Sequence, residues 1–297
     1  MNFIKNHVFL TILFIICVVV IYWNFFRPVS RNELIDKNSK FYVNDIYMSD
    51  GRIYNNYLSD DEKKAYDSLV KAIKKHKGSI EIDLSSYSCS DNDECTGIMQ
   101  NVYDAIFVDH PELLSFSTFS MMFTDKKVKI SFVYALPARF FDFIGERKIE
   151  REIDTIKNNT KNMSDLDKIQ YVYYWISSNS KYDDVFTYFS KNQSIYSVFF
   201  GDSAVCAAYA KASQVIFQNI GIKSYIVTGN SGEDHAWNIV YYDGNYYNFD
   251  STVAASIQNK DSKFYYDGLD QAFLDTYSFD HADWYPEVMK EGNLIFW

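Results

Sequence analysis

The pair Asp243-Gly244 constrains the fold of this chain more than any other local feature. It separates two runs rich in aromatic and β-branched residues, and Asp-Gly in that setting is typical of a two-residue β-hairpin turn. A turn at this pair places Asp250 opposite Trp237. His235 then lies one diagonal step from Asp250 on the same face, about 7–8 Å away at the backbone, which is within reach of a hydrogen bond. The hairpin therefore predicts a carboxylate beside an imidazole.

A helix is predicted from Cys206 to Ile220, because Ala, Lys and Gln are good helix formers and Gly221 is a natural stop. Cys206 then lies in the first turn, where unpaired N–H groups and the helix dipole favour a thiolate. A single cysteine at a helix start is more often a small buried hydrophobic residue. The histidine and carboxylate of the hairpin favour a nucleophile, since nucleophile, base and orienting group make up a catalytic triad.

Taken together, Cys206, the string His235-Ala236-Trp237-Asn238 and Asp250 resemble the transglutaminase-like superfamily, a group with a papain-like cysteine fold. The segment Val205–Ala210 and the predicted helix Asp165–Ser178 resemble parts of bacterial members. The resemblance covers less than a third of the chain. It implies an α+β fold in which an antiparallel sheet packs on the helix that starts at the cysteine.

The implied chemistry is attack of Cys206 on a peptide or protein amide through a thioester acyl-enzyme, with His235 as base and Asp250 orienting it. One oxyanion donor is the backbone N–H of Cys206. Candidates for a second donor or a substrate contact are Tyr182, Tyr196 and Trp237. Hydrolysis and transamidation both stay open, and no cofactor or metal is implied. The alternative is a non-catalytic module of this fold that binds peptide or cell-wall polymer.

An apolar and aromatic run from Val8 to Phe26 is long enough to span a bilayer. No small-residue cleavage site follows it, which indicates an uncleaved, single-pass anchor in the cell membrane. The Lys and Arg residues after the run favour a cytoplasmic body. The short N-terminal tail with Lys5 is instead typical of a signal anchor, and bacterial relatives with such an anchor usually work outside the cell. We therefore expect an extracytoplasmic catalytic domain.

The expected organisation is a tail (1–7), the transmembrane anchor (8–26), a juxtamembrane linker (27–53), a mainly helical N-terminal α+β region (54–162) and the catalytic domain (163–297). Predicted elements are helices from Ser59, from about Ile98 to Asp109 and at Arg139–Asn158, and strands at Ile80–Leu84, Val128–Ala135 and Asn293–Trp297. The net charge of −10 excludes nucleic acid as an expected partner, because phosphate binding needs clustered Lys and Arg.

Two further features allow more than one interpretation. Cys89 and Cys95 could form a loop disulfide in an oxidising compartment or stay as free thiols. His281 lies between acidic residues and is a rival for the catalytic base, but no hairpin geometry pairs it with a carboxylate.

Overall fold

The computed structural model describes residues 51–124, 126–134, 138–183, 191–200, 203–253 and 277–289 of the 297-residue chain. The predicted anchor at 8–26, almost all of the predicted linker and the predicted strand at 293–297 lie outside these residues. Within the described ranges, no helix is both long and apolar enough to cross a bilayer.

The helices are α1 (Arg52–Asn56), α2 (Asp60–Lys74), α3 (Asn92–Asp109), α4 (Ala138–Thr160), α5 (Asp165–Asn179), α6 (Ile195–Phe200) and α7 (Cys206–Ile220), with short 3-10 turns at Lys191–Gln193 and Ala282–Trp284. The strands are β1 (Ser79–Asp83), β2 (Phe116–Thr124), β3 (Lys127–Tyr134), β4 (Lys181–Tyr182), β5 (Ser203–Ala204), β6 (Ser224–Asn230), β7 (Asp234–Tyr242), β8 (Asn245–Phe249) and β9 (Ser278–Phe279).

The N-terminal region combines α1 to α3 with a three-stranded antiparallel sheet of order β1-β3-β2. The start of α2 is the predicted capping box: the side chain of Ser59 accepts from the backbone N–H of Glu62, whose carboxylate accepts from the N–H of Ser59. Strand β2 was missed by the sequence analysis. A disulfide joins Cys89 to Cys95 and closes the loop that enters α3.

Helix α7 lies at the centre of the second region. It is buried on nearly every side, and it ends at Gly221 with a φ of 79°, the left-handed conformation that favours glycine at a helix end. Helices α4, α5 and α6 pack against it together with the antiparallel sheet of order β8-β7-β6-β9. This arrangement confirms the expected packing of an antiparallel sheet on the helix that starts at the cysteine.

One hydrophobic cluster spans the two regions. Side chains from the N-terminal helices, including Leu69 and Met99, belong to the same buried cluster as Val227 and Trp237 of the sheet. Trp284, which follows β9, is buried in this cluster as well. The geometry of the sheet therefore depends on packing supplied from both ends of the described chain.

Candidate active site

The hairpin β7–β8 has the register that the sequence predicts. Tyr242 pairs with Asn245 and Asn238 pairs with Phe249, which brings Asp250 level with Trp237. Asp243 and Gly244 have φ values of 45° and 86°, and positive φ at both central residues is the signature of the type I′ turn that suits the twist of a hairpin.

Polar contacts fix α7 against this sheet. The amide of Asn238, on β7, is fully buried and donates to the backbone carbonyl of Ala210 over 3.0 Å. The amide of Gln214 donates to the carbonyl of Ser224 on β6 over 2.9 Å. Buried hydrogen bonds of this kind are costly to break, because the buried donor and acceptor cannot form replacement hydrogen bonds with water. They set the position of the α7 N-terminus, and hence of Cys206, relative to β7.

Cys206, His235 and Asp250 converge. The Nε2 atom of His235 lies 2.8 Å from Oδ2 of Asp250, and the side chains are only 9% and 6% exposed. The imidazole of His235 also interacts with the side chain of Cys206. Since Nε2 is engaged by the carboxylate, we assign the interaction with the sulfur to Nδ1.

The charges of the site support one another. Burial by itself would lower the pKa of His235, but its hydrogen bonds and charge interactions with Asp250 and Cys206 outweigh burial and raise that pKa to about 10. Burial would raise the pKa of Asp250, but its hydrogen bonds and the charge of His235 hold that pKa below the usual value. A protonated imidazole and an ionised carboxylate therefore coexist at neutral pH.

Two residues that the sequence analysis missed complete the surroundings of Asp250. Its Oδ1 atom accepts from the backbone N–H and the hydroxyl of Thr252, over 2.9 and 2.5 Å. Its Oδ2 atom accepts from the hydroxyl of Tyr277 over 2.7 Å, in addition to His235. Thr252 directly follows the hairpin and could have been found as a local turn partner of the carboxylate. Tyr277 carries no such signal.

The start of α7 is a helix N-terminus, which favours negative charge. Among the described residues, no side chain caps the helix at its N-cap residue, Val205. The backbone N–H of Val205 donates to the carbonyl of Asn192 over 3.1 Å, which fixes the approach to Cys206. A helix N-terminus held in this way presents N–H groups and a positive partial charge to a developing oxyanion.

The indole N–H of Trp237 is engaged within the sheet, and a role of Trp237 as a donor or substrate contact stays a prediction. Its Nε1–H is donated to the side-chain oxygen of Asn248 across the hairpin over 2.9 Å, so this N–H is committed inside the sheet. The indole ring instead stacks on the imidazole of His235, with centroids 5.9 Å apart and planes 17° from parallel. The register places Asn248 diagonally across from Trp237, which is why the two side chains meet.

The two candidate tyrosines lie on different elements. Tyr182 is on β4, which pairs with β5 just ahead of Cys206, and its ring stacks on Tyr209 of α7 with centroids 6.3 Å apart. The ring of Tyr196 stacks on Phe200 with centroids 3.7 Å apart, on the side of α6 that faces α4. Their roles as donors or substrate contacts stay predictions.

His281, the rival base, is paired elsewhere. Its Nε2 atom lies 3.0 Å from Oδ2 of Asp104 on α3, and its ring stacks on Trp284 with centroids 3.8 Å apart. The imidazole that the structure brings to Cys206 is that of His235. Across the described ranges, no group of three or more His, Cys, Asp or Glu residues is arranged to hold a metal ion.

Comparison with known proteins finds one family match and two similar solved structures. Residues 153–251 match the family model of the transglutaminase-like superfamily, and no curated protein matches the chain. One similar solved structure is a Cytophaga hutchinsonii protein proposed to be a cysteine protease (13% identity, TM-score 0.31, 48% of this chain and 63% of that one). Another is a TGase (15% identity, TM-score 0.33, 63% of this chain and 54% of that one). This chain thus spans less than two thirds of either structure.

The matched segment contains Cys206, His235 and Asp250, the three side chains that the structure brings together. Over residues 153–251, about a third of its length, this chain is similar to the transglutaminase-like superfamily.

Proposed function

We propose that the chain is a membrane-anchored cysteine enzyme that attacks peptide or protein amide bonds and passes through a thioester acyl-enzyme. The observation that carries the proposal is the imidazole of His235, which binds Asp250 through Nε2 over 2.8 Å and Cys206 through its other side. A buried carboxylate, an imidazole and a thiol in this order form the arrangement that activates a sulfur nucleophile.

In the first step, the thiolate of Cys206 attacks the amide carbonyl carbon. The carbonyl oxygen becomes an oxyanion and is stabilised by the N–H of Cys206 at the start of α7. The imidazolium of His235 gives its Nδ1 proton to the amide nitrogen as the C–N bond breaks. The amine leaves, and the acyl group stays on sulfur as a thioester.

In the second step, neutral His235 takes a proton from water or from an incoming amine, which attacks the thioester carbonyl. Collapse of the second oxyanion expels the thiolate and restores the imidazolium beside it. Asp250 keeps its charge throughout, because its oxygens accept from His235, Thr252 and Tyr277. Water gives net hydrolysis and an amine gives net transamidation.

An extracytoplasmic location for this domain is part of the proposal. The disulfide between Cys89 and Cys95 supports it, because such bonds persist mainly in oxidising compartments. The apolar run from Val8 to Phe26 would hold the enzyme at the membrane, close to cell-surface or cell-wall peptides as substrates.

The test uses the full chain in detergent with two assays side by side. Casein with dansylcadaverine reports transamidation by fluorescence of the protein band, and casein alone reports hydrolysis by release of acid-soluble peptides. We expect one of the two activities in the wild type and none in Cys206→Ala. If both assays stay silent while casein binds equally to wild type and Cys206→Ala, the chain is a peptide-binding module and the enzyme proposal fails.

A further inference from the structure

We propose that Tyr277 is a positioning residue of this site, and that it sets how strongly His235 holds its proton. It is delivered by a C-terminal strap, defined here as residues 277–285, which lies outside the matched segment 153–251. The inference rests on the proposed function, because it concerns the same thiolate–imidazolium pair.

The contact with Asp250 is direct. The hydroxyl of Tyr277 donates to Oδ2 over 2.7 Å, and this is the same oxygen that binds Nε2 of His235 over 2.8 Å. The tyrosine ring packs edge-on against Trp237 with centroids 4.8 Å apart, and it lies 6.4 Å from the imidazole. Tyr277 thus touches the carboxylate and the indole on which the imidazole stacks.

The strap is built into the sheet at its first residues. Ser278 and Phe279 form β9, which pairs with Asn230 and Gly229 at the end of β6. A Cβ atom on Gly229 would lie 1.9 Å from the carbonyl oxygen of Ser278. Only glycine allows the two backbones to approach this closely. The glycine at position 229 of β6 therefore permits the pairing with the strap.

The far end of the strap is held by the N-terminal region. His281 binds Asp104 of α3 over 3.0 Å. The guanidinium of Arg52, on α1, donates to the carbonyl of Trp284 and lies 5.2 Å from the ring centroid of Tyr285. The strap is therefore fixed at both ends, and the hydroxyl of Tyr277 is held against Asp250.

The effect on the site is electrostatic. Among the described residues, the titratable groups that face the His235–Asp250 pair are Cys206 from α7 and Tyr277 from the strap. Burial and the adjacent carboxylate raise the pKa of Tyr277 above its usual value, so its hydroxyl stays a neutral donor. The hydroxyl of Tyr277 and the imidazolium of His235 both donate to Oδ2 of Asp250, so part of the negative charge on that oxygen is stabilised by Tyr277. Without it, that charge acts on His235 alone, and the imidazole holds its proton more strongly.

Tyr277→Phe removes the hydroxyl and keeps the ring. A matched control is Tyr285→Phe on the same strap, because the hydroxyl of Tyr285 is buried and has no hydrogen-bond partner among the described residues. The readout is the rate at which iodoacetamide labels Cys206 in the full chain between pH 5 and about pH 11, measured by mass spectrometry of the Cys206 peptide. His235→Ala is measured in parallel, and thermal unfolding of every variant shows whether the fold is kept.

In Tyr277→Phe we expect the alkaline step of the labelling profile, at which the imidazolium of His235 loses its proton, to move to higher pH by about half to one unit, because Asp250 then holds that proton more strongly. Tyr285→Phe should overlay the wild type. A profile of Tyr277→Phe that also overlays the wild type overturns the inference, even if its unfolding temperature falls, because that result describes a structural contact only. If His235→Ala changes nothing either, the proposed function itself fails.

Discussion

Lys211 lies on α7, the helix that begins at Cys206, and its side chain is almost fully buried. It is 5% exposed, with Nζ 4.4 Å from the ring centroid of Phe107 on α3. Burial lowers the pKa of Lys211 to about 8, although the carboxylate of Glu112 acts in the opposite direction. Folding therefore favours the neutral form of Lys211. The stability of the folded protein should depend on pH in a predictable way.

The sign and size of the pH dependence of stability follow from the folded-state and usual pKa values of Lys211. Because the folded-state pKa is below the usual 10.5, the unfolded chain binds more protons between about pH 8 and pH 10.5, and stability from this residue rises with pH across that window. The gap between about 8 and 10.5 corresponds to roughly 3 kcal/mol at about 1.4 kcal/mol per pKa unit. This is the cost of the buried ammonium at neutral pH.

Lys211→Met removes the charge and keeps most of the side-chain volume. Glu112 keeps a partner in the variant, because His110 lies 2.7 Å away. We expect the free energy of unfolding of the variant minus that of wild type to be about 2 kcal/mol larger at pH 7 than at pH 10, so the variant is relatively more stable at pH 7. Any packing change shifts both values equally, so the pH-dependent part isolates the charge.

The measurement is urea denaturation of the full chain in detergent, followed by tryptophan fluorescence at pH 7 and pH 10. Lys71→Met, at an exposed position of α2, is the matched control and should show the same difference from wild type at both pH values. A Lys211→Met difference that is constant with pH would refute the argument that burial holds this lysine in an unfavourable protonation state.

Three further predictions concern the surroundings of the site. Gly229→Ala should displace the strap, since a Cβ atom would lie 1.9 Å from a strap carbonyl oxygen, and we expect the Cys206-labelling profile to shift as it does without the Tyr277 hydroxyl; an unchanged profile would contradict this. The hydrogen bond that His281 donates to Asp104 raises the pKa of His281. This pair therefore stabilises the fold below about pH 6.5 and loses its effect as pH rises. Asp104→Asn should therefore lower the unfolding temperature more at pH 5.5 than at pH 9, and an equal loss at both would count against it. Reducing the Cys89–Cys95 disulfide should cost about 2 kcal/mol by the loop-entropy argument, seen as a lower urea midpoint that Cys89→Ser reproduces without reductant.

Turn and helix-end preferences were sufficient to predict the β7–β8 hairpin and helix α7. The turn residues Asp243 and Gly244 fix the register of the hairpin, and that register by itself brings His235 to Asp250. The ends of α7 follow from residue preference, since Gly221 takes the left-handed conformation that stops a helix. These features could be predicted because each depends on neighbours in sequence or on one cross-strand pairing.

Long-range contacts account for what was missed. Tyr277 reaches Asp250 only because the strap returns to β6, and nothing in its own sequence marks it. Lys211 looked like an ordinary helix former, but α7 is buried on nearly all sides and the charge that faces it comes from Glu112 in a distant segment. The sequence offered the indole N–H of Trp237 as a donor, but in the structure this N–H is donated across the hairpin to Asn248.

The central claim is that His235 keeps the sulfur of Cys206 reactive at neutral and mildly acid pH. The most direct test is the rate of iodoacetamide labelling at Cys206 in the full chain at pH 6 and pH 9, for wild type and His235→Ala. An ordinary thiol reacts roughly 200-fold more slowly at pH 6 than at pH 9 if its pKa is about 8.5.

Because the pKa of His235 is raised to about 10, the account predicts that the imidazolium persists across this range. The wild-type rates should then differ by less than about tenfold between the two pH values, while His235→Ala shows the full loss of an ordinary thiol. A wild-type rate that falls as steeply as that of His235→Ala would contradict the account.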